Sequence, residues 1–504
     1  MIFTGSEAAR QMDRYAIDIL GIPGELLMER AAAGAAAEIR RMLPAGGRVL
    51  VLSGSGNNGG DGIGIAAMLR ETGFEVRCVM AGDPERLSHD SRCMLARLEA
   101  AGEVLHPFET VDSLGTGWDL MVDALFGTGL SREVGGKYRA IIDYVNSSGI
   151  PVLACDIPSG ISADTGAVLG TAVKASVTVT FHRPKTGHLL PPGTEHTGRL
   201  VVHDIGIPPE ATARGEKAGQ YVTGDMVKRW LPPLPLESHK GSCGKLLLLC
   251  GSVGFTGAAA LAAQAALRTG AGLVYLGVPE PVYPILAAKV TEPVVFPLPA
   301  RDGRLSEEAI PEILRRLPDM DAALPGPGLG TGAAVRAVTE AVLAAARCPA
   351  VLDADGINVL SGHIDILGRA AGPVVLTPHP GEFRRLGGDG SLSRIAGAKD
   401  LSVRLGATVV LKGYRTVTAS REGEIYVNST GNPGMATGGS GDVLSGILTA
   451  LLGFGMDPVR AAAAAVWLHG AAGDRAAETL GRRSLLPTDM LGALPQIIRE
   501  ITEE

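Results

Sequence analysis

Short runs of β-branched and leucine residues alternate with helical patterns along the whole chain, and several of these runs end in glycine-rich loops. That alternation is the strongest constraint on the fold. Parallel strands need a crossover of a dozen or more residues, and a helix is the usual crossover. The first half predicts strands at Val49–Leu52, Val76–Met80, Leu120–Ala124, Val152–Cys155 and Val177–Phe181, with helices at Gly64–Glu71, at Tyr138–Ser147 and within 6–42. The polar stretch Pro208–Gln220 interrupts the pattern, which then begins again. Strands follow at Lys245–Cys250, Leu273–Val278, Ala322–Leu324, Ala350–Asp353, Val374–Thr377 and Thr408–Lys412. Helices are expected at Gly257–Thr269, Gly332–Arg347, Gly441–Leu452 and Pro458–Leu480. A chain of 504 residues exceeds what one core usually spans. The expectation is two α/β domains, 1–213 and 223–504, joined by a linker at 214–222. The first reads as a doubly wound parallel sheet.

Composition narrows the function. The net charge of −7 argues against a general nucleic-acid binder. The six cysteines form no CxxC pair, so reduced thiols in the cytoplasm are expected and zinc is not. The first residues lack an apolar signal-peptide core, and the alanine-rich stretch 455–472 is broken by Asp457, Arg460 and His469, so no membrane segment is expected.

The first candidate site is RVLVLSGSGNNGGDGIGIAAMLRETG, a strand, a glycine loop and a helix. Open α/β sheets bind ligands at such loops, where backbone N–H groups and a helix N-terminus favour anions. Asn57, Asn58 and Asp61 add polar groups that a pure phosphate cradle does not need. Two further strand ends carry Asp123, in MVDALFGTGL, and Asp156 with Ser159, in VLACDIPSG. Strand ends in such a sheet converge, and a set of hard oxygens without cysteine or histidine suits a hard cation. A terminal Asp is also a common helix cap; two beside glycine loops favour the ligand reading.

The second half carries a similar set. GKLLLLCGSVGFTGAAALAAQ is a strand, loop and helix in which Ala258, Ala259 and Ala260 would let a ligand lie close. Close helix–sheet packing explains them as well. ALPGPGLGTG supplies a stiff turn with Gly328, and His379 is clamped between prolines at a strand end. Lys412, Gly413 and Thr416 follow another strand, where a lysine can serve as a point charge on nucleotide phosphate. The strongest feature is NSTGNPGMATGGSGDVLSG, with five glycines among residues 431–441. N–H groups of Gly438–Gly441 would form an anion nest at a helix N-terminus, with Asp442 in the first turn. A carboxylate beside a phosphate cradle points to phosphoryl transfer, the Asp taking a hydroxyl proton as phosphate arrives. A helix cap alone needs fewer glycines.

In the order GSGNNGGDG, VDALFGTGL, CDIPSG, the first half resembles the NAD(P)H-hydrate epimerase family, as does its opening helix EAARQMDRYAIDILGIPGELLMERAA. The resemblance implies a Rossmann-like fold and one potassium ion on Asn58, Asp123 and Ser159. It implies substrate contacts at Asn57, Asn58, Gly59, Gly60 and Asp61, along Gly127, Thr128, Gly129, Leu130, Ser131, Arg132 and Glu133, and at Asp156. Epimerisation at a hydroxyl-bearing ring carbon next to nitrogen moves a proton as the C–O bond breaks and re-forms, and Asp156 is the expected acid/base. Lys185, in FHRPKTGHLLPPG, is either a phosphate contact or a solvated loop lysine. In the second half GGSGD resembles the anion hole of ribokinase-like kinases. The set GSxxFTGAA, GPGLG, TPHPGE, LKGxxT and NPGMATGGSGDVLSG resembles the NAD(P)H-hydrate dehydratase family more closely, with Leu324–Pro325 a small departure. This implies that the hydrated cofactor meets Ala259, Gly328, His379 and Asp442. It implies that a nucleotide meets Lys412, Gly413, Tyr414, Arg415, Thr416 and Gly441. The implied reaction phosphorylates the ring hydroxyl and eliminates phosphate, returning NADH or NADPH. The microbial arrangement implies ADP, with Mg²⁺, in a homo-oligomer. Two rivals remain: a ribokinase-like small-molecule kinase with an N-terminal ligand-binding domain, and a non-catalytic cofactor-sensing module at the N-terminus.

Overall fold

A computed structural model describes residues 1–503, which form two compact units, Ile2–Gly219 and Gln220 onward. The N-terminal unit carries strands β1 (Arg48–Ser53), β2 (Glu75–Met80), β3 (Leu105–Pro107), β4 (Leu120–Ala124), β5 (Val152–Cys155), β6 (Val177–Phe181) and β7 (Arg199–His203). They lie in the order β3-β2-β1-β4-β5-β6-β7, all parallel. The order reverses between β1 and β4, the switch point where such sheets open a crevice at their strand C-termini. The strands are apolar on both faces because helices cover both: Val49 and Val51 pack into one buried cluster and Leu50 and Leu52 into another.

The helices beside the crevice are α1 (Ser6–Arg14), α2 (Gly24–Met42), α3 (Asn57–Glu71), α4 (His89–Ala100) and α5 (Gly136–Ser147). The helix expected within 6–42 is divided, a π-helical turn at Tyr15–Ile19 and the sequence Gly21–Ile22–Pro23 separating α1 from α2. Pro23 is the N-cap of α2 and ends the preceding run, as proline does. The helix expected from Gly64 begins seven residues earlier, so the asparagines and glycines of NNGGDG form its first turns. The glycines do not stop the helix because tertiary packing needs them. A Cβ at Gly59 would stand 1.8 Å from the Gly54 carbonyl, and one at Gly62 2.6 Å from the Ala124 methyl. The stretch expected as linker is structured: Pro209–Thr212 forms a helical turn and Lys217–Tyr221 a strand, β8.

The C-terminal unit carries β9 (Lys245–Leu249), β10 (Leu273–Pro279), β11 (Val294–Leu298), β12 (Ala322–Pro325), β13 (Ala350–Leu352), β14 (Val374–Leu376), β15 (Thr408–Leu411), β16 (Val417–Ala419) and β17 (Ile425–Val427). From Gln220 and Tyr221 of β8 the order is β8-β17-β16-β15-β14-β13-β12-β9-β10-β11. Strands β15 to β11 are parallel, and β16 and β17 add antiparallel at one edge. Pro325 closes β12 opposite Leu249, a strand end where a missing N–H does least harm. Helices α6 (Thr256–Thr269), α7 (Ala333–Ala345), α8 (Pro380–Arg385), α9 (Arg394–Leu405), α10 (Ser440–Gly453), α11 (Pro458–Leu480) and α12 (Pro487–Thr502) flank the sheet. α6 and α10 touch through small residues: a Cβ on Gly446 would stand 2.2 Å from the Ala262 carbonyl. Among the described residues, no helix is long and apolar enough to cross a membrane.

Candidate active sites

The loops after β1, β4 and β5 meet beneath a cleft of about 750 Å³ in the N-terminal unit. Asn57, Asn58, Asp61, the loop Gly127–Arg132, Asp156 and Lys185 line it. Asp156 is held in a left-handed backbone conformation, φ 63°. A non-glycine residue pays for that, and such strain persists where surrounding structure fixes it. The fixing contacts are visible. The Asp156 N–H donates to the Val179 carbonyl at 2.8 Å, and His188 Nε2 lies 2.8 Å from the Asp156 carbonyl oxygen. The Lys185 N–H donates to His188 Nδ1, so that nitrogen accepts and Nε2 carries the proton. Burial keeps this imidazole neutral, its pKa pushed down to about 4. Lys185 Nζ donates to Asp156 Oδ1 at 2.6 Å, and Thr180 Oγ1 donates to the same oxygen at 3.0 Å. Burial opposes ionisation of Asp156, but the Lys185 ammonium overcomes it and holds the carboxyl below its ordinary range. The solvated-loop reading of Lys185 is thereby corrected. It is a buried partner of Asp156, not a solvated loop residue, and it borders the cleft.

Beneath the cleft, Ser159 donates through Oγ to Asp123 Oδ1 at 2.6 Å and through its N–H to Asp123 Oδ2 at 2.7 Å. Ser159 Oγ also stands 3.2 Å from the Phe126 carbonyl. Asn58 packs against Gly127 and is buried, yet neither its Oδ1 nor its Nδ2 finds a hydrogen-bond partner. A buried amide without partners costs about 1–3 kcal/mol, so a group absent from the protein alone is expected there. Gly59 and Gly60 are set apart from Asn57, Asn58 and Asp61. They do not line the cleft, and their missing side chains admit the Gly54 carbonyl and, at Gly60, Ser91 Oγ and Met28. Glu133 also lies off the cleft, near Gly170. Sequence reading missed Asp13 of α1, which lines the same cleft and whose carboxyl is pushed up to about 6 by burial.

The C-terminal site forms at the N-terminus of α10. Gly439 caps the helix at φ 96°, which frees the turn before it. The first N–H groups of a helix have no intrahelical partner; the Ser440 N–H donates to the Thr437 carbonyl at 3.3 Å, so Gly441 and Asp442 present donors to an anion. The nest is buttressed from behind: Ser440 Oγ lies 3.2 Å from Nε2 of His469, a buried imidazole on α11 whose pKa burial pushes down to about 4. Lys412 Nζ would stand 3.4 Å from a Cβ on Gly441, which places its charge beside the nest. It is oriented by Asp353, whose Oδ1 accepts from Lys412 Nζ at 2.7 Å and from Thr377 Oγ1 at 2.7 Å. Asp353 Oδ2 accepts from Ser445 Oγ of α10 at 2.6 Å. Burial and, after it, the Asp353 charge together raise the Asp442 carboxyl to about 6 against the pull of Lys412. A half-buried carboxylate with that pKa is suited to accept a proton near neutrality.

The other expected contacts divide. The segment Lys412–Thr416 is a tight turn in which Thr416 Oγ1 donates to the Gly413 carbonyl at 2.8 Å. The Arg415 guanidinium sits between the Tyr414 and Tyr221 rings, 5.1 and 5.4 Å from their centroids. His379 caps α8, its Nδ1 accepting from the Gly381 N–H at 2.9 Å, while its ring stays half exposed. Gly328 is buried under Phe255 and Ala258 at the start of α6, its carbonyl accepting from Ser252 Oγ at 2.7 Å. Ala259 lies deeper than Ala258. It is fully buried in the core beside Gly251 and offers a ligand no surface. Asp353 was the residue missed. Its place in VLDADGINVL shows a strand end, but its partners lie 24 and 92 residues away.

A doubly wound sheet with a carboxylate–lysine cleft, followed by a sheet whose glycine nest carries a basic carboxylate, defines a two-site enzyme of nucleotide-like substrates. A family model described as NAD(P)H-hydrate dehydratase matches residues 246–496, and one described as YjeF-related protein N-terminus matches residues 24–187. The bifunctional NAD(P)H-hydrate repair enzyme of Moorella thermoacetica is 41% identical over 98% of this chain and 96% of its own. Its counterpart in Escherichia coli is 36% identical over 98% and 94%. An ADP/ATP-dependent NAD(P)H-hydrate dehydratase from Bacillus subtilis, co-crystallised with ATP and Mg²⁺, is 33% identical with a TM-score of 0.50, over 56% of this chain and 99% of that one. A ribokinase-like protein from Enterococcus faecalis gives a TM-score of 0.51 at 29% identity, over 57% and 98%. The chain belongs to the family of bifunctional NAD(P)H-hydrate repair enzymes.

Proposed function

We propose that this chain repairs hydrated NADH and NADPH, its N-terminal site interconverting the R and S hydrates and its C-terminal site dehydrating the S hydrate at the expense of ADP, giving AMP and phosphate. The observation that carries the second activity is Asp442 in the first turn of α10, beside the Lys412 charge. The N–H groups at the helix start hold the terminal phosphate, Lys412 neutralises charge on it, and Asp442 takes the proton of the ring hydroxyl as the phosphoryl group arrives. Phosphate then leaves where hydroxide would not. Mg²⁺ would offset the charge of the nucleotide. In the N-terminal cleft Asp156 exchanges the proton while Lys185 keeps it ionised. The orphaned Asn58 amide, with the oxygens of Asp123, Ser159 and the Phe126 carbonyl close by, fits a potassium ion, which would supply a fixed positive charge under the substrate. The test is a mixed R/S hydrate incubated with ADP and, separately, with ATP. Full recovery of reduced-nicotinamide absorbance with ADP is expected. Recovery of half means that the N-terminal site is idle, and a stable phosphorylated product would mark a kinase instead.

A further inference from the structure

Two carboxyls share the N-terminal cleft with Asp156: Asp13 from α1 and Asp61 from the first turns of α3. Their situations differ from that of Asp156. Lys185 spends its ammonium on Asp156 and Thr180. Among the described residues neither Asp13 nor Asp61 receives a hydrogen bond or an ion pair, although Asp61 borders the same cavity. The charges that face Asp61 are Asp156 after β5, Asp13 on α1 and the Lys185 ammonium, with the buried Cys155 thiol beneath. Two of them are anions, and the cation is already paired. Burial and these neighbours push the Asp61 carboxyl well above its ordinary range, while Asp156 is held below it. One cleft thus holds a carboxyl biased toward its acid form beside one biased toward its carboxylate form. When neighbouring environments push two carboxyls apart in this way, the acid and base roles are separated.

We propose that, in the epimerisation assigned above, Asp61 gives its proton to the departing ring hydroxyl and Asp156 takes a proton from the water that returns. The proposal rests on that assignment. The C–O bond breaks as the oxygen takes the Asp61 proton and leaves as water, and the lone pair of the adjacent ring nitrogen forms a C=N⁺ bond. Water then adds to the opposite face, its oxygen bonding to the ring carbon and its proton passing to Asp156. The nitrogen recovers its lone pair. A proton returned from Asp156 to Asp61 through solvent resets the pair. No oxidant or further reactant is needed. Asp13 touches neither reacting atom in this scheme. It is a positioning residue whose negative charge keeps Asp61 protonated.

The experiment follows R-to-S interconversion of NADPH hydrate by the full-length chain without nucleotide. Loss of that activity in the unaltered chain would overturn the epimerase assignment itself. Given an active chain, Asp61→Asn is expected to lower kcat by about 100-fold or more, the usual worth of a positioned acid. A loss under ten-fold, on the same order-of-magnitude scale, overturns the proposal. Asp13→Asn leaves an active enzyme in which Asp61 ionises more easily, so the alkaline limb of kcat/KM moves to lower pH. An unmoved limb overturns the proposal even if Asp61→Asn fails to fold. In ¹⁸O-labelled water each inversion carries solvent oxygen into the product, and inversion that outpaces label uptake overturns the bond-breaking route.

Discussion

The role proposed for Asp442 as the base of the second site carries a measurable pH dependence. Burial and the Asp353 charge raise its carboxyl to about 6. The base must be ionised, so kcat/KM for S-hydrate dehydration rises through about pH 6 and is flat above it, until another group titrates. Asp442→Asn abolishes that limb with the activity. The same shift makes a stability prediction of opposite sign. A folded carboxyl whose pKa is raised binds a proton more tightly than the unfolded chain does, so it favours the fold at low pH and costs stability as pH rises through about 6. Asp442→Asn therefore melts higher than the parent well above that pH and loses the advantage near pH 4, close to the ordinary carboxyl value of about 3.9. A melting series across pH reads both. Lys185 gives the contrasting case, because its partner is buried and ionised. Lys185→Met leaves Asp156 uncompensated, and breaking such a pair costs about 3–5 kcal/mol. The N-terminal melting transition is expected to fall accordingly, while dehydration of the S hydrate continues.

At the scale of elements, the glycine loops are not interchangeable cradles. Gly439 holds φ 96°, and a Cβ there would stand 2.7 Å from Leu261 and 3.1 Å from Pro487. Gly438, its neighbour, has open space around it. Gly439→Ala is expected to destabilise the C-terminal domain by about 1 kcal/mol or more through backbone strain and overpacking. Gly438→Ala should leave melting unchanged and alter only the affinity for nucleotide. Equal melting losses at the two positions would contradict this division. The sequence made the parallel strands easy to see, because both-face burial leaves unbroken apolar runs such as LLLL in β9 and VLAC in β5. Leu120–Ala124, Val152–Cys155 and Val177–Phe181 were placed to the residue. The edge strands Leu105–Pro107 and Val294–Leu298 escaped, since each contains a proline, which argues against a strand in sequence. At the sites, residues inside motifs were legible and their partners were not. Asp156 announces itself in CDIPSG, but that Lys185 reaches it depends on β6 lying beside β5. Glycine motifs were read as ligand contacts at Gly59 and Gly60, where the glycines serve the packing of α3. A missing side chain looks the same in sequence whether it makes room for a ligand or for a neighbouring carbonyl.

For the whole chain, the two compact units each hold the groups proposed to react: Asp156, Lys185 and Asp61 in the first, Asp442, Lys412 and Asp353 in the second. A dehydratase selective for one epimer strands the other, so joining the two activities guarantees that both are present in equal amount. It does not require that substrate pass within one molecule. That distinction can be tested with two disabled chains. Asp156→Asn keeps the C-terminal groups, and Asp442→Asn keeps the N-terminal ones. Each alone is expected to leave an R/S mixture incompletely repaired, Asp156→Asn stopping near half conversion beyond spontaneous epimerisation and Asp442→Asn restoring none. Mixed together, they should carry the mixture to completion, at a rate that rises with the concentration of the Asp442→Asn chain. If the mixture stalls at half, the hydrate does not exchange freely between chains, and the fusion transfers substrate within one molecule or one assembly. Completion at an undiminished rate shows that the two sites are coupled only through the shared pool of hydrate.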